Sequence, residues 1–263
     1  MNNKILLDNI ISITQQAGYK ILDIYNSNDF SDSIEFKDDN SPLTIADKAS
    51  NEVIINEIKK LNLNIPILSE EEKNVPYSTR KKWDKFWLID PLDGTKEFIK
   101  RNGEFTVNIA LIDKGSPILG VVYAPVLDIT WYGSSDSGSF IYKNNESSKI
   151  KVKDNENSIV KVVSSRSHAN NPKLEEYLKK FKQYELVKMG SSIKMCLVAD
   201  GSADCYPRFG PTMEWDTGAA HAVVKFAGGN IFDINTNREL KYNKENLLNP
   251  GFIVKWVTTY YIY

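Results

Sequence analysis

Long hydrophobic runs are missing from this sequence, so nothing in it predicts a membrane-spanning helix, which needs about 20 apolar residues. The apolar run Ile5–Leu7 breaks too early for a signal peptide. Cysteine is also scarce: Cys196 and Cys205 stand in apolar surroundings without a Cys-x-x-Cys pattern, which favours buried thiols over a disulfide scaffold or a zinc site. We therefore expect a cytoplasmic protein, and contact with the cytoplasmic face of the inner membrane is left open.

The sequence also has few histidines and almost no net charge. The two histidines, His168 and His221, are too few for a multi-histidine metal site, and an ordinary structural role is the default for His221. The 33 basic residues nearly cancel the 34 acidic ones, so no general basic field attracts nucleic acid or an anionic membrane. A negatively charged partner must therefore be met by local groups. The sequence leaves open whether the chain forms a homodimer.

What the sequence does have is length and apolar content. Its 263 residues suffice for one large domain or two joined ones. After an amphipathic first helix, four strands between Thr106 and Tyr142 predict an antiparallel meander. The polar segment Asn144–Ser158 predicts a boundary near Asp154, and strands alternate with helices beyond it. We expect an α+β subdomain over residues 1–154 and an α/β subdomain over 155–263.

One stretch of ten residues, from Phe86 to Thr95, has the features of a phosphate site. Phe86–Ile89 is typical of a buried strand, and Pro91 is expected to stop it, which places Asp90 at its carboxyl end. Gly94 permits close backbone approach. Thr95 is a good N-cap for a helical turn whose unpaired N–H groups would face the same space. The stretch therefore predicts an anion site beside acidic side chains.

The two acids of this stretch, Asp90 and Asp93, favour a metal. Phosphate beside two carboxylates is repelled unless a cation lies between them, and oxygen ligands favour a hard ion such as magnesium. In phosphatases that form an aspartyl phosphate the two acids are two positions apart, whereas here they are three apart. Because Asp, Pro, Gly and Thr are common in turns, an ordinary loop remains an equal alternative.

Three further acids could complete such a site. Ile65–Leu68 is a brief apolar run, typical of a short strand, that delivers Ser69 to Glu72. An acidic triplet is usually a solvated face, but one that follows a strand could bring a ligand to the same edge, and Glu70, which is nearest the strand, is then expected to face inward. Asp47 lies in the first turn of a helix, where the helix dipole explains an acid as well as catalysis does. Asp216 is a plausible N-cap of a small-residue helix and could also face a metal.

Two cations of the second half are candidate phosphate partners. Lys194 follows Gly190-Ser191-Ser192-Ile193, and Arg208 follows Tyr206-Pro207. An isolated cation is more often merely solvated. Their role therefore depends on whether they converge with the acids.

Three ordered motifs resemble those of the inositol monophosphatase superfamily of magnesium-dependent, lithium-sensitive phosphatases. They are Trp87–Thr95, Ser69–Glu71 and Trp215–Ala220. Within the superfamily, the chain is similar to 3′(2′),5′-bisphosphate nucleotidases of the CysQ type through Lys96–Ile99, Gly103–Leu111 and Tyr206–Thr212. The resemblance runs from the first helix to Asn249–Phe252. It departs at Gly218, where alanine is commoner, and in the tail after residue 256.

The resemblance implies an αβαβα layered sandwich and a site with two or three magnesium ions. It places Glu70, Asp90, Asp93, Asp216 and the Leu92 carbonyl at the metal-ligand positions, most of them in the first subdomain. It pairs Thr95 with Asp47 as a dyad that orients the attacking water, and it counts Glu70 with these catalytic residues. The implied substrate is 3′-phosphoadenosine 5′-phosphate, and the implied substrate contacts are Leu92, Asp93, Gly94, Thr95, His168, Ser191, Ser192, Lys194, Arg208 and Asp216.

Two alternatives remain at this point. An inositol or sugar phosphate monoesterase would share the metal motifs, because those motifs do not choose the substrate. A nucleotide or metal sensor without turnover is an alternative of another class. The presence of Asp47, Thr95 and the four carboxylates argues against the sensor.

Overall fold

The computed structural model describes residues 3–27, 34–36, 42–72, 75–153, 159–166 and 171–256. The described helices are α1 (Asn3–Tyr25), α2 (Ile45–Lys60), α3 (Tyr77–Arg80), α4 (Thr95–Ile99), α5 (Pro172–Leu178), α6 (Ile193–Ala199) and α7 (Glu214–Phe226). The described strands are β1 (Ile34–Phe36), β2 (Pro42–Thr44), β3 (Ile67–Ser69), β4 (Lys85–Asp93), β5 (Thr106–Asp113), β6 (Ser116–Ala124), β7 (Ile129–Ser134), β8 (Gly138–Lys143), β9 (Glu146–Lys149), β10 (Val160–Ser165), β11 (Tyr184–Met189), β12 (Cys205–Arg208), β13 (Gly229–Asp233) and β14 (Phe252–Trp256). The short strands β1 and β2 pair with each other, and neither was predicted.

The larger sheet contains the predicted meander. Among the described strands its order is β3-β4-β5-β6-β7-β8-β9. Strand β3 runs parallel to β4, and the remaining neighbours are antiparallel. Strand β4 is apolar at consecutive positions because both of its faces are buried. Trp87 and Ile89 pack on one side of the sheet, and Phe86 and Leu88 pack on the other.

Helices α1 and α2 cover the first of these faces. Along α1, buried apolar side chains recur at spacings of three or four residues, which is the pattern that makes a helix amphipathic. Ile10, Ile13, Ala17 and Ile21 belong to the same buried cluster as Trp87 of β4. The amphipathic first helix predicted from the sequence is therefore confirmed, and its apolar side packs on the sheet.

A second, mixed sheet forms the other half, with the order β11-β10-β12-β14-β13 among the described strands. Strand β10 is parallel to β11 and β12, whereas β14 is antiparallel to β12 and β13. Helices α6 and α7 pack between the two sheets, and α5 packs Leu174 and Leu178 on the outer face against Val162 and Cys205. The layer order is αβαβα, which confirms the predicted fold class.

Two local predictions need correction. Pro91 does not stop β4, which continues to Asp93; instead the ladder to β5 is interrupted between Asp90 and Asp93. A proline is tolerated at this bulge because the ladder has no partner for an N–H at that position. The N–H that proline lacks is therefore not needed. Strand β9 also forms inside the segment expected to be a boundary. It is an exposed polar edge strand, which apolar patterning could not reveal.

The predicted boundary residue, Asp154, lies outside the described residues, so the division into two subdomains stays a prediction. Within the described part of the chain, no helix is both long and apolar enough to cross a membrane. Cys196 and Cys205 are buried free thiols, as expected.

Candidate metal and phosphate site

The bulge in β4 shapes the centre of the candidate site. At the bulge, the backbone N–H of Leu92 donates to Asp90 Oδ1 at 3.1 Å, and the Ser50 hydroxyl of α2 donates to the Pro91 carbonyl at 2.8 Å. These bonds tie the backbone between Asp90 and Asp93 to its surroundings. The interruption of the ladder thus gives a bulge within β4 whose backbone is held in place.

The chain turns from this bulge into helix α4 through Gly94. Gly94 has φ 96°, in the left-handed region that glycine adopts without a Cβ clash. It occupies the N-cap position, and no side chain caps this helix. The prediction that Thr95 is the N-cap is therefore wrong, since Thr95 is the first residue of the helix. Its hydroxyl is consequently not committed to a capping bond.

Three acids from separate elements converge beside the bulge. Glu70 begins a short 3₁₀ turn after β3, Asp90 lies in β4, and Asp216 lies in the first turn of α7. Among the residues that the structure describes, these three place one carboxylate oxygen each within 4.8 Å of the others. Parallel pairing of Ser69 with Ile89 explains why Glu70 arrives next to Asp90.

Asp216 reaches this position in an unexpected way. The N-cap of α7 is Met213, and Asp216 is the third residue of the helix; its Oδ2 accepts the Met213 N–H at 2.8 Å. The prediction that Asp216 is the N-cap is wrong by three positions. An acid at the third position reaches back to the cap, as in a capping box, so the helix start still fixes its carboxylate.

Electrostatics make the convergence of these acids unfavourable without a cation. Burial raises the pKa of Asp90 well above its usual range, and the charges of Glu70, Asp93, Asp216 and Asp47 raise it further. Burial, then the charge of Asp93, likewise raises the pKa of Asp216. Burial is also the main cause that raises the pKa of Asp93 to about 6. Buried like charges of this kind need a compensating positive charge.

Asp47 also contributes to the raised pKa of Asp90. Asp47 lies in the first turn of α2 and is only 1% exposed. The helix dipole favours an acid at this position, but the dipole alone does not explain why the acid is buried. Its charge is one of those that raise the pKa of Asp90. The pairing of Asp47 with Thr95 stays a prediction.

A cavity of about 200 Å³ opens beside the acids and contains both candidate cations. Lys194 is buried, and burial lowers its pKa to about 8, against the opposing effect of Asp93. Arg208, at the end of β12, donates to the Pro211 carbonyl at 3.1 Å. The side chains lining this cavity include Asp93, Lys96, Glu97, Ser165, Ser191, Ser192, Lys194, Tyr206, Arg208, Thr212, Asp216, Thr217 and Phe252.

The serines of the cavity are held by strand β5. The Ser192 hydroxyl donates to Asn108 Oδ1 at 2.7 Å and lies 2.8 Å from the Thr106 hydroxyl. Thr106 also donates to the Ser191 hydroxyl at 3.3 Å. This network was missed from the sequence, although polar residues at two alternate positions of an apolar strand were a signal for it. The contacts of Ser191 and Ser192 with a substrate stay predictions.

Of the two histidines, the structure describes His221. His168 lies outside the described residues, so its predicted substrate contact stays a prediction. His221 is fully buried on α7, where its Nδ1 lies 2.8 Å from the Tyr242 hydroxyl and its Nε2 lies 2.7 Å from Asn230 Oδ1. The expected structural role of His221 fits these contacts.

Comparison with known proteins identifies the class of this chain. Residues 6–258 match the model of the Inositol monophosphatase family, and the chain therefore belongs to that family. Among curated proteins, the 3′(2′),5′-bisphosphate nucleotidase CysQ of Escherichia coli (strain K12) is 46% identical over 250 residues, 95% of this chain and 99% of that protein. The protein of the same name from Haemophilus influenzae is 35% identical over 254 residues, 96% and 93% of the two chains.

Solved structures agree with this assignment. CysQ from Bacteroides thetaiotaomicron, described as a bacterial member of the inositol monophosphatase family, superposes with a TM-score of 0.83 and 42% identity, covering 95% of this chain and 96% of that one. An inositol monophosphatase from Anabaena superposes with a TM-score of 0.71 at 22% identity, covering 97% and 92%, and supports the fold alone. The resemblance to the CysQ type predicted from the sequence motifs is confirmed.

Proposed function

We propose that this chain is a magnesium-dependent phosphatase that removes the 3′-phosphate of 3′-phosphoadenosine 5′-phosphate, giving adenosine 5′-phosphate and phosphate. The observation that carries the proposal is the cluster of Glu70, Asp90 and Asp216 oxygens within 4.8 Å, at a cavity that also contains Lys194 and Arg208. The name 3′(2′),5′-bisphosphate nucleotidase, borne by two relatives that are each 46% identical, supports this substrate class.

The residues present fit a hard metal ion. Glu70, Asp90, Asp93, Asp216 and the Leu92 carbonyl would hold it, and all five offer oxygen, which magnesium prefers. The raised pKa values of the buried acids support the presence of a positive charge at the cluster. Magnesium bound here would lower the pKa of water, offset the phosphate charge and stabilise the departing ribose oxygen. Occupancy by two or three ions is part of the proposal.

Protein side chains would orient the attacking water. Asp47 is buried and its charge acts on Asp90, and Thr95 begins α4 with a hydroxyl that caps no helix. In our proposal these two hold the water for in-line attack on phosphorus. A bond from the water oxygen to phosphorus forms as the bond to the ribose 3′-oxygen breaks, and the proton that the water loses ends on that ribose oxygen as its hydroxyl hydrogen. Glu70 belongs to the same catalytic group, and no covalent phosphoenzyme is needed.

The second half of the chain would select the nucleotide. Lys194 and Arg208 line the cavity, and their positive charges would attract a second phosphate. Ser191 and Ser192 would contact that phosphate or the sugar, and His168 would contact adenine. Leu92, Asp93, Gly94, Thr95 and Asp216 would surround the phosphate that is removed.

A substrate panel tests the proposal. In magnesium, hydrolysis of 3′-phosphoadenosine 5′-phosphate should have the highest kcat/KM when compared with inositol 1-phosphate and fructose 1,6-bisphosphate. Preference for either of the other two would make the chain an inositol or sugar phosphate monoesterase. Magnesium binding without turnover of any of the three would instead indicate a sensor.

Lithium should inhibit at millimolar concentration by competing for a magnesium position.

A further inference from the structure

Glu104 has a buried carboxylate outside the acid cluster. It lies in the segment that leads into β5, and its side chain is 11% exposed. The N–H of Gly190 donates to its Oε2 at 2.8 Å. Arg166 donates from Nε to the same oxygen at 2.6 Å and from Nη2 to Oε1 at 2.5 Å. This is the paired geometry in which a planar guanidinium fits a carboxylate.

These bonds join segments that are distant in the sequence. Arg166 directly follows β10, Gly190 directly follows β11, and Glu104 belongs to the larger sheet's side of the molecule. Gly190 also has no room for a side chain, since a Cβ would lie 2.6 Å from the Glu104 carbonyl oxygen and 2.7 Å from Glu97 Cγ. The close approach of the Gly190 backbone and the ion pair of Glu104 with Arg166 therefore lie at the same junction between the two halves.

Both partners of Glu104 adjoin the cavity. Gly190 precedes Ser191, and Arg166 follows Ser165; both serines line the cavity. Two residues beyond Glu104, Thr106 pairs with Asp93 in the β4–β5 ladder. The junction thus connects the cavity's serine side to the strand that lies beside the acid cluster.

We propose that Glu104 and Arg166 are positioning residues that set the distance between the acid cluster and the second-phosphate side of the cavity. Through this distance they select a phosphate ester that carries a second anionic group. The inference rests on the proposed function, because it takes Ser191 and Lys194 as contacts of that group.

The test separates binding of the whole substrate from binding at the acid cluster. The kcat and KM for 3′-phosphoadenosine 5′-phosphate and the Ki of inorganic phosphate are measured for wild type, Glu104→Gln, Arg166→Gln and Arg166→Lys. In Glu104→Gln and Arg166→Gln we expect KM to rise about ten-fold, which corresponds to loss of one charge-assisted bond. The kcat and the phosphate Ki should stay within about two-fold. Arg166→Lys keeps the charge and should give an intermediate KM.

A control lies at the far end of β5, the strand that Glu104 leads into. Asp113, at the far end of β5, is paired with Lys85 at 3.3 Å, and both side chains are partly exposed. Asp113→Asn removes an ion pair away from the cavity, and KM, kcat and Ki should be unchanged. Thermal unfolding identifies any variant that fails to fold. If Glu104→Gln fails to fold, Arg166→Gln still gives the result because it alters a half-exposed residue.

The outcomes distinguish the inference from the proposed function. An unchanged KM in Arg166→Gln, or equal changes in KM and in the phosphate Ki, overturns the positioning role. The proposed function still stands in that case if the wild-type protein hydrolyses the bisphosphate. A wild-type protein that does not hydrolyse the bisphosphate refutes the function, and the inference with it, before any variant is measured.

Discussion

Asp93 is held in a site that is unfavourable for a carboxylate and useful for a metal. Burial is the main cause that raises its pKa to about 6, and the charge of Lys194 opposes that rise. Glu97 and Glu70 add further repulsion. At neutral pH the metal-free protein therefore carries electrostatic strain at the position where a cation would relieve it.

Asp93→Asn should separate function from stability. The variant loses a proposed metal ligand, so kcat/KM in magnesium should fall by at least about 100-fold. The melting temperature without metal should stay equal or rise, because one repelling carboxylate is gone. Glu57→Gln, which alters a surface carboxylate paired with Lys60 on α2, is the control. Near-normal activity of Asp93→Asn would refute its assignment as a ligand.

His221 gives the stability a dependence on pH. Burial lowers its pKa to about 4, and the nearby Lys225 and Lys241 lower it further, while Asn230 and Glu239 oppose the shift. The unfolded chain, with a histidine pKa near 6.5, binds a proton between pH 6.5 and 4 that the folded state does not bind. Its stabilising contribution is therefore complete above pH 6.5 and is lost as the pH falls toward 4.

Urea unfolding at pH 7, 6, 5 and 4.5 without metal checks this expectation. The free energy of unfolding of wild type should drop relative to that of His221→Gln by up to about 3 kcal/mol across this range. The acid cluster titrates in both proteins, so the difference between them isolates the histidine. Parallel pH profiles would contradict the expectation.

At the scale of elements, the connection between β11 and α6 is the part of the cavity that depends most on close packing. Ser191 has φ 43°, and Lys194 donates to the Ser191 carbonyl. Gly190, one residue earlier, is packed against backbone and side-chain atoms of the other half. The position of the serines therefore depends on a residue without a side chain.

Gly190→Ala should displace this connection. Its Cβ would lie 2.6 Å from the Glu104 carbonyl oxygen, and the overlap should cost about 1–3 kcal/mol of unfolding free energy and raise KM for the bisphosphate. The control is Gly210→Ala, because the nearest atoms to its Cβ would be those of the Arg208 guanidinium at 3.5 Å. Urea unfolding and steady-state kinetics measure both variants; equal stability of the two would show that the connection adapts.

At the scale of the whole molecule, α7 connects the layers. It packs on β4, β5 and β6 of one sheet and on β13 of the other, and its first turn carries Asp216. Gly120 of β6 lies so close to α7 that a Cβ there would be 2.2 Å from the Ala219 carbonyl oxygen. The distance between helix and sheet therefore also sets the distance between Asp216 and Asp90.

Gly120→Ala should push α7 away from the sheet. We expect a loss of about 3 kcal/mol in unfolding free energy, and magnesium should raise the melting temperature less than in wild type, because Asp216 moves with the helix. Adding Ala222→Gly removes a methyl group that the new Cβ would meet at 2.7 Å but leaves the carbonyl contact. It should not restore stability, and full rescue by Ala222→Gly would contradict the backbone clash.

The sequence by itself determined the residues of the acid cluster and the order of the layers. Asp90 follows a run that is apolar because both faces of β4 are buried, and Glu70 follows a similar short strand; such patterns are local and can be read along the chain. The family motifs supplied the αβαβα sandwich, which the structure confirms. The roles of the site residues, the homodimer and the cytoplasmic location stay predictions.

Only the tertiary structure decided how these residues are held. The bulge at Pro91, the bonds of Ser192 to β5 and the pair of Glu104 with Arg166 each join backbone or side chains that are distant in sequence. Their geometry depends on which strands become neighbours and how closely the layers pack. Periodicity and local propensity report which face of an element is buried, but they do not specify the atom that a buried polar group will meet.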